Sequence, residues 1–123
     1  MSVPRRRFGR TELSMPVFSC GGMRYQHSWE DGEAGGITND GQQNLEATVM
    51  RALELGINHL ETARGYGTSE LQLGRLLPSL PREDVIVQTK IGPRDTAKEF
   101  IETFETSLSN LGVEYIDLLG VHG

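Results

Sequence analysis

A chain of 123 residues, 37% hydrophobic and 24% charged, has the length and balance of one ordinary domain with a hydrophobic core of its own. Its formal net charge of −5 gives no electrostatic reason to expect nucleic acid or an anionic membrane as a partner, and the one basic run, Arg5-Arg6-Arg7, reads as a solvated strand or arm. The single cysteine, Cys20, excludes a disulfide framework and a cysteine metal site, and with no signal-peptide core and no apolar stretch of roughly 20 residues the expected setting is cytoplasmic.

Arg7 to Met15, "RFGRTELSM", sets turn residues between two short extended pieces and predicts a hairpin over about residues 6–16. Pro16 to Cys20 reads as a first strand that ends at Gly21-Gly22. Met23 to Asp40 carries Gly32, Gly35 and Gly36 without clear periodicity, and a loop of that length inside a compact domain is usually functional or disordered. From Gly41 the pattern changes. Leu45, Val49, Ala52 and Leu53 fall at i, i+4, i+7 and i+8, predicting a helix that Gly56 stops in a left-handed cap.

Ile57 to Glu61 is a short strand. Thr68 is placed to cap a second helix carrying Leu71, Leu73, Leu76 and Leu77, which Pro78 ends. Val85-Ile86-Val87 has the β-branched, unbroken apolarity of a strand buried on both faces. Ile101, Phe104, Leu108 and Leu111 make a third helical stripe, stopped by Gly112. Tyr115 to Val121, "YIDLLGV", is a further buried strand.

The order is hairpin, then β, α, β, α, β, α, β, which implies an α/β fold with parallel pairing and right-handed crossovers. An open doubly wound sheet would announce itself with a glycine-rich phosphate turn, and Cys20-Gly21-Gly22-Met23-Arg24 is not one. A closed eight-stranded barrel needs about 250 residues. The expectation is therefore the parallel β/α units of about half a TIM barrel, preceded by the N-terminal hairpin, with no second domain within residues 1–123.

Three successive predicted strands end in chemistry-bearing residues: Glu61, Lys90 in "VIVQTK" and His122 in "IDLLGVH", with Tyr66 in the loop after Glu61. In a parallel barrel the carboxyl ends of strands converge on one face, where active sites are built. A tyrosine with an ordinary pKa of about 10 donates protons poorly at neutral pH. A neighbouring ammonium would favour its phenolate, and a carboxylate would hold that ammonium charged and oriented. A histidine across the pocket could hydrogen-bond a carbonyl oxygen. Such a group would polarise a carbonyl for hydride attack and deliver the proton. It contains no nucleophile–base pair and no metal-ligand cluster, so no metal site is expected.

With "GINHLETARGYGTSELQLG", "VIVQTK" and "YIDLLGVHG" in this order, the sequence resembles the aldo-keto reductase family over nearly its whole length. The family's tetrad is Asp, Tyr, Lys and His. The resemblance implies that Tyr66 is the general acid, Lys90 its pKa partner, His122 the carbonyl-orienting group and Glu61 the anchor of the lysine. Glu61 stands where the family usually has Asp, one methylene longer. The resemblance further implies NADPH or NADH as cofactor and a small-molecule aldehyde or ketone as substrate, reduced to an alcohol. It places Gly22 and Met23 near the nicotinamide ribose, where a tight turn without ligand is the competing reading, and Trp29 and Arg64 along the substrate pocket.

Plainer readings apply elsewhere. His59 is expected to be a satisfied core residue, Asp117 structural, Glu70 a helix N-terminal acid favoured by the macrodipole, and Cys20 a buried strand residue. The alternative function is a non-catalytic truncated piece, a half-barrel that works only as a homodimer or with a complementary half, because an open half exposes strand edges and an apolar interior face. A lyase with Lys90 as Schiff base gives Tyr66 and His122 no joint role.

Overall fold

The computed structural model describes residues 2–30 and 36–123, so Gly32 and Gly35 of the long loop lie outside the described residues. Strands β1 (Arg5–Arg7) and β2 (Ser14–Pro16) pair antiparallel, with Arg6 opposite Met15, around a single 3-10 turn at Gly9–Thr11. The basic run is more than the solvated arm expected. The Arg5 guanidinium donates to the Gly56 carbonyl at 3.2 Å and to Asn58 Oδ1 at 3.0 Å, and the Val3 amide donates to the Leu55 carbonyl at 3.0 Å. These bonds clip the hairpin to the turn that leads into the next strand but one, at the amino ends of the main sheet.

The strand expected over Pro16 to Cys20 is broken. Strand β2 ends at Pro16, Val17 and Phe18 turn outward as exposed side chains, and β3 is only Cys20–Gly21. The chain must leave the hairpin and enter a different sheet here, and one continuous strand cannot serve both. Helix α1 (Asn39–Glu54) buries Leu45, Val49 and Ala52, its first turn capped by Thr38, whose hydroxyl accepts from the Gly41 amide. Gly56 follows with φ of +79°, the left-handed conformation expected of it. Then come β4 (His59–Glu61), α2 (Ser69–Leu76), β5 (Ile86–Ile91), α3 (Ala97–Leu111) and β6 (Leu118–Val121).

The four strands β3-β4-β5-β6 are parallel and lie in sequence order. A doubly wound sheet reverses its strand order at a switch point; none occurs here, and the order is that of a TIM barrel opened partway round. The core lies between sheet and helices, where Cys20, Leu60 and Val87 meet Leu45, Val49, Leu73, Leu76 and Leu111.

Two details of helix packing differ from the sequence pattern. Helix α3 has a full capping box between Thr96 and Glu99 and ends at Gly112 with φ of +64°. Yet Ile101 is 55% exposed, Phe104 and Leu108 are half-buried, and of the stripe Leu111 alone is buried, beside Ser107, because the helix leans on α2 by its C-terminal half. Gly74 of α2 is the contact point: a Cβ there would stand 2.0 Å from the Asn110 carbonyl oxygen. Thr68 sits at the N-cap of α2 as expected, but its side chain makes no cap bond and is turned to the long loop instead.

The sheet face opposite the helices is more polar than expected of an open half: beside Ile86 and Leu118 it carries Ser19, His59, Gln88, Glu61 and Lys90. Ser19 Oγ bonds His59 Nδ1 at 2.7 Å and His59 Nε2 bonds Gln88 Oε1 at 2.9 Å, a polar ladder that runs from the entry to β3 through the start of β4 to the middle of β5. Exposed apolar surface lies on the other side of β6, at Leu119 and at Val121, which is 71% exposed.

Candidate active site

Parallel register puts the strand ends at one level. Glu61 pairs with Gln88 and Lys90 with Gly120, so Glu61 and Lys90 lie on one face of adjacent strands a residue pair apart. Their side chains form an ion pair, Lys90 Nζ to Glu61 Oε1, with both side chains mostly shielded. The extra methylene of Glu61 therefore does not prevent it from reaching the lysine. Desolvation holds the Lys90 ammonium below the usual lysine range.

Lys90 Nζ also lies 4.5 Å from the centroid of the Tyr66 ring, over its face. The Tyr66 and His122 rings meet edge to face, with centroids 5.4 Å apart and planes at 90°. Glu61, Tyr66, Lys90 and His122 are thus brought together at the carboxyl ends of β4, β5 and β6, although up to 61 positions separate them in sequence. A cleft of about 490 Å³ opens beside them, lined by Arg64, Gly65, Gly92, Arg94, His122 and Gly123.

Glycine makes two of these approaches possible. Gly120 stands opposite Lys90, and a Cβ there would come within 2.9 Å of Lys90 Cγ. This is a residue that the sequence reading passed over; a lone glycine inside an apolar strand is itself the sign of a close approach. Gly67, with φ of +52°, lies so close to the Ser28 carbonyl oxygen that a Cβ would stand 1.9 Å from it. The "GYG" spacing is therefore a backbone requirement on the side of Gly67.

The other singled-out residues are placed as follows. Gly22 is buried, donates its amide to the Glu61 carbonyl, and has no room for a Cβ, which would lie 2.7 Å from Glu61 O, Ser69 Oγ and Tyr25 Oη. Close packing alone demands glycine there; Met23 beside it is partly buried. Trp29 is 59% exposed, on the loop whose backbone rests on Gly67. Arg64 lines the cleft and donates to Glu70 Oε1 at 3.2 Å.

Glu70 stands in the first turn of α2, as expected of a helix N-terminal acid, but it is fully buried. Burial raises its carboxyl pKa, with Ser107 and Arg64 pulling it back. Asp117 is structural as expected: Oδ2 accepts from the Val87 amide at 2.8 Å and pairs with Arg82 at 2.7 Å. His59 is a satisfied core residue, both ring nitrogens bonded. No group of three or more metal-ligating side chains occurs among the described residues.

A parallel sheet in sequence order with a tyrosine, a lysine–carboxylate pair and a histidine at its carboxyl-end rim is the frame of a (β/α)-barrel enzyme segment. The family model for the aldo/keto reductase family matches residues 19–123, and the chain belongs to that family of oxidoreductases. An aldo-keto reductase of Mycobacterium avium is 34% identical over 90 residues, 71% of this chain and 31% of its own. The NADH-specific methylglyoxal reductase of Escherichia coli is 35% identical, over 61% of this chain and 29% of its own. Among solved structures, an aldo-keto reductase from Pseudomonas aeruginosa superposes with a TM-score of 0.77 at 28% identity, covering 97% of this chain and 47% of that one. The chain spans about a third of the length of these curated relatives and less than half of that solved structure.

Proposed function

We propose that this chain supplies the proton-donating half of an NAD(P)H-dependent aldo-keto reductase that reduces an aldehyde or ketone to an alcohol. The observation that carries the reading is the contiguous set Glu61–Lys90–Tyr66–His122 at the rim of the parallel sheet. His122 orients the carbonyl oxygen and Tyr66 Oη gives it a proton as the carbonyl carbon accepts hydride. The phenolate left behind is stabilised by the Lys90 ammonium, and Glu61 keeps that ammonium charged against the pull of desolvation. The reduced nicotinamide, when bound, supplies the hydride; the Gly22–Met23 end of β3 is the part of this chain that would lie against its ribose. A Klebsiella pneumoniae structure of the same fold is a complex with NADPH, with a TM-score of 0.69 at 22% identity, while the Escherichia coli relative is NADH-specific, so both cofactors belong in the first assay.

Tyr66→Phe tests this directly. Carbonyl reduction is expected to fall by about a hundredfold to ten-thousandfold, the range of general acid catalysis, with cofactor affinity and folding retained. An unchanged rate removes Tyr66 from the mechanism.

A second reading, that the chain acts only when paired with a complementary half or a second copy, is supported by the exposed outer face of β6 at Leu119 and Val121. Under it, pairing with a second copy makes the isolated chain sediment as a larger species that binds cofactor, whereas the need for a complementary half leaves the isolated chain unable to bind it.

A further inference from the structure

The loop after β3 lies across Gly67, the residue next to Tyr66, and its position is fixed by two side chains one helical turn apart, from the N-cap and the first turn of α2. Thr68 Oγ1 accepts from the backbone amides of His27 at 3.0 Å and Ser28 at 3.1 Å. Gln72 Oε1 accepts from the His27 amide at 2.7 Å and from the Thr68 hydroxyl at 2.7 Å. Gln72 Nε2 donates onward to the carbonyls of Gly41 at 3.1 Å and Tyr25 at 3.5 Å. The Thr68 amide donates to the Ser28 carbonyl at 2.9 Å.

Thr68 is 2% exposed and Gln72 fully buried, so each polar atom must find a partner inside the protein. The partners are almost all backbone groups of residues 25–28 and of the start of α1. Such a cluster holds the path of the loop whatever side chains the loop carries. Nothing in helix formation requires it, since Thr68 forgoes its own capping bond to α2 to make it.

We propose that Thr68 and Gln72 are positioning residues that clamp the Trp29 loop beside Tyr66 and thereby set the substrate side of the site. The inference rests on the reductase reading for its effect on substrate, but not for the clamp itself. Trp29 is the only tryptophan of the chain, so its fluorescence reports the loop without any need for turnover.

In Thr68→Val the chain keeps its circular dichroism, acrylamide quenching of Trp29 rises, and Thr68→Ser restores it. With benzaldehyde as probe substrate, KM rises by about tenfold while kcat stays within about threefold. Quenching unchanged in folded Thr68→Val overturns the clamp, and a fall in kcat with KM constant overturns its role in placing substrate. Where Thr68→Val does not fold, amide exchange in the unaltered chain decides: His27 and Ser28 protected as well as α2 supports the clamp, and rapid exchange overturns it. A chain that binds neither NADPH nor NADH counts against the reductase reading, and the fluorescence still decides the clamp.

Discussion

His59 shows what a single residue does in this fold. Two positions before Glu61 and on the same sheet face, it cannot reach water, and both ring nitrogens are taken up by Ser19 and Gln88. Burial lowers its pKa from 6.5, so the folded chain keeps it neutral. The sign of the linkage follows. As the pH falls below 6.5 the unfolded chain protonates first, and stability is lost down to the lower folded-state pKa, where the loss levels off. Urea midpoints measured between neutral and mildly acidic pH are expected to fall in this chain, with a flatter profile in His59→Asn; parallel profiles would mean that His59 is not the titrating group. Glu70 works in the opposite direction, because its raised pKa makes ionisation in the fold costly as pH rises above 4.5. Comparison with the His59 variant separates the two.

At the scale of elements, the packing of α2 against α3 turns on Gly74. The helix pattern read from sequence assigns Leu73 and Leu76 to the core but says nothing of Gly74, which follows Leu73. Only the crossing shows why it lacks a side chain, with the Asn110 carbonyl where a Cβ would be. Gly74→Ala would add helix propensity, worth about 1 kcal/mol in isolation. Against that, the clash has a backbone oxygen as its partner, which cannot swing away as a side-chain tip could. We expect a net loss of about 1–3 kcal/mol, the usual cost of overpacking, measurable by urea denaturation. A stabilised variant would show that the two helices separate without strain.

The long loop makes the same point. Its glycines and lack of periodicity marked it in sequence as functional or disordered, but its anchors, Thr68 and Gln72, lie about 40 residues away at the start of α2 and carried the ordinary look of helix residues.

At the scale of the whole molecule, four parallel strands form an open sheet whose inner face is largely polar and whose last strand bares Leu119 and Val121. The polar face does not itself call for an apolar partner, whereas the outer face of β6 and the edges of β3 and β6 do. The isolated chain is expected to self-associate, and replacing Leu119 and Val121 together by Thr, which keeps β-propensity, should reduce its sedimentation coefficient. Equal sedimentation of the two would place the association on another surface. No helix among the described residues is long and apolar enough to cross a membrane.

Local chemistry was enough to determine much of this protein. Helical spacing at Leu45, Val49 and Ala52, left-handed stops at Gly56 and Gly112, and β-branched runs at residues 85–87 specify their elements through neighbours a few positions away, so they can be read from sequence. The alternation of strands and helices likewise implied parallel pairing, and the missing glycine-rich phosphate turn after the first strand turned that reading toward the barrel. The ion pair of Glu61 with Lys90, the crossing of Tyr66 and His122, the buried pairing of Arg64 with Glu70, and the turn of Thr68 away from its own helix were decided only by tertiary structure. Each joins groups brought together by strand register and helix packing, and a one-residue slip in β5 would turn Lys90 to the opposite face with no change in its sequence neighbours.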